Sequence, residues 1–227
     1  AKTTRVEGGS TGTQAQAEKM LSAATAGDVN TIRACLAEGV DVNAAGGQDQ
    51  WTALHRACAR GHVECVEVLL QCKDIDVDVR AKDGWSALHY ACHSKHRKVV
   101  DLLLARGDVA VNARAHNDIT PLHCACTSGS VEVVRALLQH PSLNPNVADT
   151  PNWSPLHCGG HTPLHVACAK GQAAMVALLM EHHDLDLWLT DAEGKTPKQI
   201  AEGKGLAEVV ALLSTRELVQ GVQGIML

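Results

Sequence analysis

The chain has 227 residues, of which 45% are hydrophobic and 20% are charged, so it can bury a sizeable core. Its 20 Lys and Arg against 25 Asp and Glu give a net charge of -5, which lacks the basic excess of a nucleic-acid-binding domain. Aromatic residues make up only 2%, with no Phe, so aliphatic and small side chains must fill the core.

The sequence contains no run of about 18 apolar residues that could span a bilayer, and its start does not resemble a signal peptide. We therefore expect neither a membrane nor a nucleic acid as partner. The 9 Cys are an odd number and several lie in apolar helical runs, which favours reduced thiols. This pattern predicts a cytoplasmic protein, with the nucleus as the alternative.

Residues 1–17 contain a Gly, Ser and Thr stretch over 8–13 and show no apolar periodicity. A segment of this composition does not bury enough apolar surface to offset the entropy of ordering. We expect residues 1–17 to be disordered.

From residue 18 onward the sequence repeats itself. A Thr or Ser followed two residues later by Leu-His recurs at spacings of 34, 34 and 42 residues, at Thr52, Ser86, Thr120 and Thr162. A further step of 34 reaches Thr196, and a step back from Thr52 reaches Glu18. The chain therefore contains six repeats, starting near residues 18, 52, 86, 120, 162 and 196.

Fixed columns within the repeats predict two helices joined by a tight turn. The fifth position after each start is always Ala, which allows close helix contact, and the ninth is Gly in every repeat except one, where Lys95 stands. Gly at this position indicates a left-handed residue that ends the first helix. Apolar residues 14 and 17 positions after the start form the buried face of a second helix.

The segments Thr120–Ala125 and Thr162–Ala167 match the T-P-L-H-x-A signature, so the chain resembles the ankyrin repeat family. The resemblance implies an all-α solenoid of helix-turn-helix units with projecting β-hairpin loops over residues 18–218. The first and last repeats are expected to act as polar caps, followed by a C-terminal tail at 219–227. Between the fourth and fifth repeats we expect an enlarged loop at 146–161.

The many His and Cys residues have a structural explanation in this register. The resemblance implies that His55, His89, His123 and His165 bridge neighbouring loops, and Cys58, Cys92, Cys126 and Cys168 pack between helices. The alternative is a zinc site that uses Cys124, Cys158 and His161, but a tetrahedral site needs a fourth ligand that the sequence does not identify. We expect no metal and no cofactor.

The sequence lacks a phosphate-binding loop, a nucleophile elbow or a paired-His metalloprotease motif, so no catalytic residues are predicted and the chain is expected not to be an enzyme. The resemblance implies instead that a protein partner binds the concave face. Trp, Tyr and Arg are the residue types enriched in binding hot spots. The predicted partner-binding residues are Trp51, Arg56, Arg60, Trp85, Tyr90, His93, Ile119 and Trp153.

Lys82, Lys95, Arg97 and Lys98 add positive charge near these residues, so we expect a partner with an acidic segment and an apolar anchor. The alternative is that Trp51 and Trp85 pack on neighbouring hairpins and serve stability alone. At the level of the whole chain, the sequence predicts a monomeric, non-enzymatic protein-interaction module. Two other interpretations remain open: a targeting or regulatory segment of a larger enzyme or scaffold, such as a kinase, GTPase regulator or transferase, and a self-associating structural unit.

Overall fold

The computed structural model describes residues 9–150 and 159–225, with side chains over 14–150 and 159–218. In these ranges twelve α-helices form six consecutive pairs. The pairs are α1 (Gly9–Ala26) with α2 (Val29–Ala37), α3 (Ala53–Arg60) with α4 (Val63–Leu70), α5 (Ala87–His93) with α6 (Arg97–Leu104), α7 (Pro121–Ser128) with α8 (Val131–Leu138), α9 (Pro163–Ala169) with α10 (Ala173–Met180), and α11 (Pro197–Gly203) with α12 (Ala207–Ile225).

The start of each first helix from the second repeat onward is set by a Thr or Ser N-cap. The hydroxyl group at this position accepts a hydrogen bond from the backbone N–H three residues later, and that third side chain accepts one from the N-cap N–H. This reciprocal arrangement satisfies two backbone donors that the helix itself leaves free. The caps are the predicted repeat starts, Thr52, Ser86, Thr120, Thr162 and Thr196.

The helices stack in two rows. The first helices α1, α3, α5, α7, α9 and α11 contact one another in sequence, and the second helices α2, α4, α6, α8, α10 and α12 form a parallel row behind them. The Ala five residues after the start of each repeat is buried between neighbouring first helices. Beside this Ala the repeats also bury a Leu: Leu54, Leu88, Leu122 and Leu164. The molecule is therefore the all-α solenoid that the sequence predicts, with one continuous core along its length.

The turn within each repeat uses the left-handed conformation that the Gly column predicts. Gly27, Gly61, Gly129, Gly171 and Gly205 all have positive φ angles. Lys95 adopts φ 63° at the same point, in a region that L-residues with a Cβ rarely occupy. The turn therefore keeps the same left-handed conformation in the third repeat, although Lys95 is less suited to it than Gly.

Each repeat is connected to the next by a projecting segment that we call a finger. The first finger contains β1 (Ala45–Gly46) and β2 (Trp51–Thr52), which pair antiparallel. The next fingers are closed by backbone hydrogen bonds without an assigned strand pair, such as Ala81 N–H to the Trp85 carbonyl and Gly84 N–H to the Ala81 carbonyl, both at 2.9 Å. The hairpin loops of the sequence prediction are present, but a strand pair is assigned only in the first of the described fingers.

Both ends of the solenoid extend further than the sequence predicts. Of residues 1–17, which we expected to be disordered, 9–17 lie in α1, because Gln14, Ala15, Gln16 and Ala17 are good helix formers, and 1–8 lie outside the described residues. Residues 219–225 of the predicted tail continue α12. In the last repeat Lys198 donates a 2.6 Å hydrogen bond to Glu217, so an ion pair stands where earlier repeats bury Leu.

Candidate functional site

Four of the fingers are held in place by a His in the first helix that precedes them, in α3, α5, α7 and α9. His55 accepts a hydrogen bond from the Thr52 backbone N–H on its Nδ1, at 3.0 Å, and its Nε2 lies 3.0 Å from the Val79 carbonyl oxygen in the next finger. Because Nδ1 is the acceptor, the proton is on Nε2, which donates to the carbonyl. The same bridge runs from His89 to Ile119, from His123 to His161 and from His165 to Lys195.

Burial lowers the pKa of all four imidazoles. The pKa of His55 and that of His89 fall to about 4, chiefly because burial disfavours the charged ring. The pKa values of His123 and His165 are lowered for the same reason. These residues are therefore neutral structural bridges at pH 7, as the resemblance implies.

Two fingers and helix α5 together form an aromatic cluster, which we define as Trp51, Trp85, Tyr90 and His93. The Tyr90 ring lies between the two indoles, with ring centroids 4.4 Å from Trp51 and 5.0 Å from Trp85. The His93 ring stands edge-on to Trp85 at 5.3 Å. Trp51 and Trp85 are half-buried and His93 is exposed. Four predicted binding residues are thus brought together at one place.

The sequence predicted that Tyr90 is an exposed contact residue, but its side chain is buried. Only 7% of it is exposed, since its ring fills the space between the two Trp side chains. Its hydroxyl group donates to the carboxylate of Asp83, at 2.9 and 2.8 Å from the two oxygens. Tyr90 therefore packs against both Trp51 and Trp85. This packing accounts for part of the burial of the two indoles, as the alternative in which they serve stability implies.

Arg56 and Arg60 line a separate cleft, which we call the α1–α3 cleft. It has a volume of about 220 Å³, is open to solvent on one side and is bounded by α1, α3 and the first finger, with Trp51 and Asp49 in its wall. A second hollow of about 450 Å³, lined by Glu18 and Leu21, adjoins it. Nη1 of Arg56 donates to the Thr25 hydroxyl at 3.2 Å. Trp51 lies at the border between this cleft and the aromatic cluster.

The remaining predicted site residues are less central. Ile119 is half-buried against the core, and its carbonyl receives the His89 bridge. Trp153 lies outside the described residues. The enlarged loop returns to the regular finger at its base, where the backbone N–H of Asp149 donates to the His161 carbonyl at 3.0 Å.

Of the four basic residues predicted to attract an acidic partner, three have an exposed side chain that is free to do so. Lys82, Lys95 and Lys98 are exposed. Arg97 instead forms a 2.7 Å ion pair with Asp101 and reaches the Glu132 carbonyl at 2.8 Å. Since its charge is already compensated, Arg97 adds little to the attraction of an acidic partner.

Sequence reasoning missed a ladder of side chains that joins the bases of successive fingers. The amide of Asn112 donates to the Ser142 carbonyl at 2.6 Å and accepts from the Asn144 N–H at 2.8 Å. Equivalent bonds start from Asn43 and Asn146. A column of Asn, 25 or 26 residues after the starts of the repeats at 18, 86 and 120, is the signal that could have revealed it.

Of the three residues of the alternative zinc site, Cys124 and His161 can be described, and their surroundings do not form a metal site. Cys124 is buried, and burial raises the pKa of its thiol. The His161 imidazole faces Asp191 at 3.6 Å, and Cys158 lies outside the described residues. In the described ranges, His182, His183 and Asp184 form a group of three potential ligands near the surface, with ligand atoms within 4.8 Å of one another.

The thiols in the helix interfaces are unreactive. Cys58, Cys92, Cys126 and Cys168 are fully buried, and burial raises the pKa of Cys168 to about 12. A thiol with such a pKa stays protonated at pH 7 and is a poor nucleophile. These residues pack the solenoid, as the repeated column indicates.

Within 9–150 and 159–225, each helix is too short or too polar to cross a bilayer.

Known sequences agree with this architecture. A family model for ankyrin repeats in three copies matches residues 20–115 and 156–220, and a single ankyrin repeat model matches residues 117–150. A 56-residue stretch is 41% identical to Ankyrin repeat domain-containing protein 40 of Mus musculus and 39% identical to that of Homo sapiens. These alignments cover 25% of this chain and 15% of each relative. Since the family models match well over half of its residues, the chain belongs to the ankyrin repeat family.

Proposed function

We propose that this chain binds a protein partner on the concave face of repeats two to four, the side on which the fingers and first helices lie. The observation that carries the proposal is the pair of half-buried indoles, Trp51 and Trp85, which adjacent fingers hold on either side of Tyr90. Ankyrin repeats in general form protein-interaction modules, and this cluster supplies a specific surface for one.

The packing of the cluster favours binding because it removes the entropy that flexible side chains lose at an interface. Each Trp is held by contact with Tyr90, whose hydroxyl group is held in turn by Asp83. A preorganised indole keeps one face free for the partner and pays little ordering entropy on contact. Trp side chains in such settings dominate the energetics of many interfaces.

We further propose that the partner segment is acidic and carries an apolar anchor. Arg56 and Arg60 are not ion-paired with any described residue, and Lys82, Lys95 and Lys98 are exposed on the same repeats. These five cations attract an acidic segment and orient it, although the chain as a whole has a net charge of -5. The apolar anchor would lie on Trp51 or Trp85.

The test is quantitative capture of proteins from cell lysate on the parent chain and on variants. The double variant Trp51→Ala, Trp85→Ala should lose the specific partner, whereas Trp188→Ala should retain it. Trp188 is a matched control because it is 60% exposed on a distant finger. Circular dichroism melts must show that each variant stays folded. Equal retention by all three chains would refute the proposal.

A second candidate function is that of a targeting or regulatory segment within a longer enzyme or scaffold. The two curated relatives favour it, because the aligned region spans 15% of each of them. The catalytic part would then lie outside these residues. The intact mass of the endogenous protein, detected with an antibody against this chain, would distinguish the two: a mass well above 24.0 kDa favours the longer protein.

We also propose that the chain works as a monomer in the cytoplasm or nucleus. The eight described Cys are all free and seven of them are buried, which suits a reducing compartment. Sedimentation at rising concentration tests the monomer, and a constant mass is expected. Cell fractionation tests the compartment.

A further inference from the structure

We propose that the α1–α3 cleft is a binding site for one carboxylate side chain of the partner, an internal Asp or Glu that stands beside an apolar residue. This inference rests on the proposed function and assigns it a specific contact. The cleft adjoins the aromatic cluster through Trp51, which lines its wall. A segment lying across the two Trp side chains therefore reaches the cleft without leaving the surface.

The cleft contains two guanidinium groups that form no ion pair with any described residue. Arg56 and Arg60 are four residues apart on α3, so they project from the same face of the helix. Arg56 makes one side-chain hydrogen bond, from Nη1 to the Thr25 hydroxyl. Its Nε has no hydrogen-bond partner among the described residues, and neither guanidinium forms an ion pair with any of them. A carboxylate is the ligand that matches this fork-shaped set of donors.

The charges around the two arginines select for a single negative charge. Asp49 lies in the cleft wall, so the residues that line it carry two positive charges and one negative charge. Glu18 lines the adjoining hollow. One carboxylate balances the net charge of +1 on the residues that line the cleft, whereas a phosphate, which carries about -1.5 to -2 at pH 7, would leave an excess of negative charge there. The geometry therefore favours Asp or Glu over a phosphorylated residue.

The first finger leaves room for the ligand beside Arg56. A Cβ on Gly47 would lie 3.4 Å from Nη2 of Arg56, and Gly47 has φ 78°, which disfavours any side chain there. A Cβ on Gly46 would lie 2.5 Å from Cδ1 of Leu21. These two glycines allow the finger to approach α1 closely while keeping the Nη2 side of Arg56 open toward the cleft. Trp51 offers an apolar wall for the residue next to the carboxylate.

The site can be tested without knowing the partner, by NMR titration of the whole chain with short peptides. The probe is the blocked peptide Ac-Ala-Leu-Glu-Leu-Ala-NH2, and the signals followed are the Nε–Hε resonances of Arg56 and Arg60 and the indole N–H of Trp51. The comparison peptides replace Glu by Gln or by phosphoserine, and a fourth carries Gln with a free C-terminal carboxylate. Variants Arg56→Gln and Arg60→Gln are compared with Arg33→Gln, which removes the same charge from an exposed position on α2.

The Glu peptide should shift all three resonances and bind about tenfold more tightly than the Gln peptide, the effect of one charge-assisted contact. Arg60→Gln should weaken binding severalfold with an unchanged melting temperature, and Arg33→Gln should leave it unaltered. Equal binding of the Glu and Gln peptides, a preference for phosphoserine or the free C-terminus, or no effect of Arg60→Gln would each overturn the proposal. A partner that is lost from the Trp51→Ala, Trp85→Ala variant but retained by Arg56→Gln, Arg60→Gln would refute this site and leave the proposed function intact.

Discussion

The hydroxyl group of Tyr90 donates to the carboxylate of Asp83, 2.9 and 2.8 Å from its two oxygens, and this contact fixes a ring on which two indoles rest. Asp83 also accepts a hydrogen bond from the Trp85 backbone N–H at 2.9 Å, so one carboxylate stabilises both the ring and the finger that carries Trp85. In the aromatic cluster the buried Tyr90 therefore positions the two half-buried indoles.

Substitutions of Tyr90 should distinguish its role in stabilising the aromatic cluster from any direct contact with the partner. Tyr90→Phe loses the hydrogen bond to Asp83 and should lower the free energy of unfolding by about 1 kcal/mol, because Asp83 remains solvated. Tyr90→Ala removes the ring between the two Trp side chains and should lower it by about 3 kcal/mol. Urea denaturation measures both changes. If Tyr90→Phe also abolished partner capture, the hydroxyl group rather than the ring would matter for binding.

Lys95 lies in the left-handed region, at φ 63°, where five other repeats have Gly. Lys95→Gly should raise the free energy of unfolding by about 0.5–1 kcal/mol, since the relief of backbone strain exceeds the extra entropy of Gly in the unfolded chain. Thermal melts would show the gain. Lys95→Ala is the control, because Ala has a Cβ and keeps the strain. An equal gain from Lys95→Ala would mean that the Lys side chain, and not the backbone, is responsible.

Asp78 occupies the position of the Asn ladder in the second repeat but can only accept hydrogen bonds. Its carboxylate receives the Ala110 N–H at 3.0 Å, and its pKa is raised chiefly by burial. Asp78→Asn adds a donor that can reach the carbonyl of Asp108, as Asn112 reaches Ser142 one repeat further on. It should raise the free energy of unfolding at pH 7 by about 1 kcal/mol.

The reverse change, Asn112→Asp, should lower the free energy of unfolding by a similar amount, since it removes the donor to the Ser142 carbonyl. Chemical denaturation of the two variants in parallel provides the measurement. If both substitutions shifted stability in the same direction, the ladder would not be the source of the effect.

Stability should fall as the pH is lowered from about 6.5 to about 4. The folded pKa of His55 and that of His89 are about 4, below the usual 6.5, so the unfolded chain binds more protons in this window and stability is highest above it. Each of these two residues should reduce the free energy of unfolding by about 2 kcal/mol at pH 5 relative to pH 7. Protonation would also place a second N–H donor against the backbone N–H of the N-cap.

The sixth repeat supplies a control for this pH dependence. Gln199 stands at the His position and closes the same capping arrangement, with its Oε1 2.9 Å from the Thr196 N–H. His89→Gln should keep the cap but not titrate, so its stability should change less between pH 7 and pH 5 than that of the parent. Denaturation curves at the two pH values measure this difference, and an unchanged difference would exclude His89 as a contributor.

Much of the local structure follows from the sequence alone. The repeat starts, the Thr or Ser caps, the left-handed turn including Lys95 and the buried Ala and Leu columns all depend on residues within a few positions of one another. Such short-range features recur at a fixed spacing, so six copies reinforce one prediction. The ends were predicted less well: α1 begins at Gly9 and α12 continues to Ile225, where repeat spacing provides no signal.

The contacts between repeats were decided by the tertiary structure. Stacking at a fixed offset places Tyr90 between Trp51 and Trp85, so that a residue expected at the surface is buried. The same offset carries the Asn112 amide to the next finger and closes the α1–α3 cleft around Arg56. The amino-acid sequence by itself determined which residues each repeat contributes. Only the packing of one repeat on the next determined which of them meet, because those distances depend on the relative placement of segments about 34 residues apart along the chain.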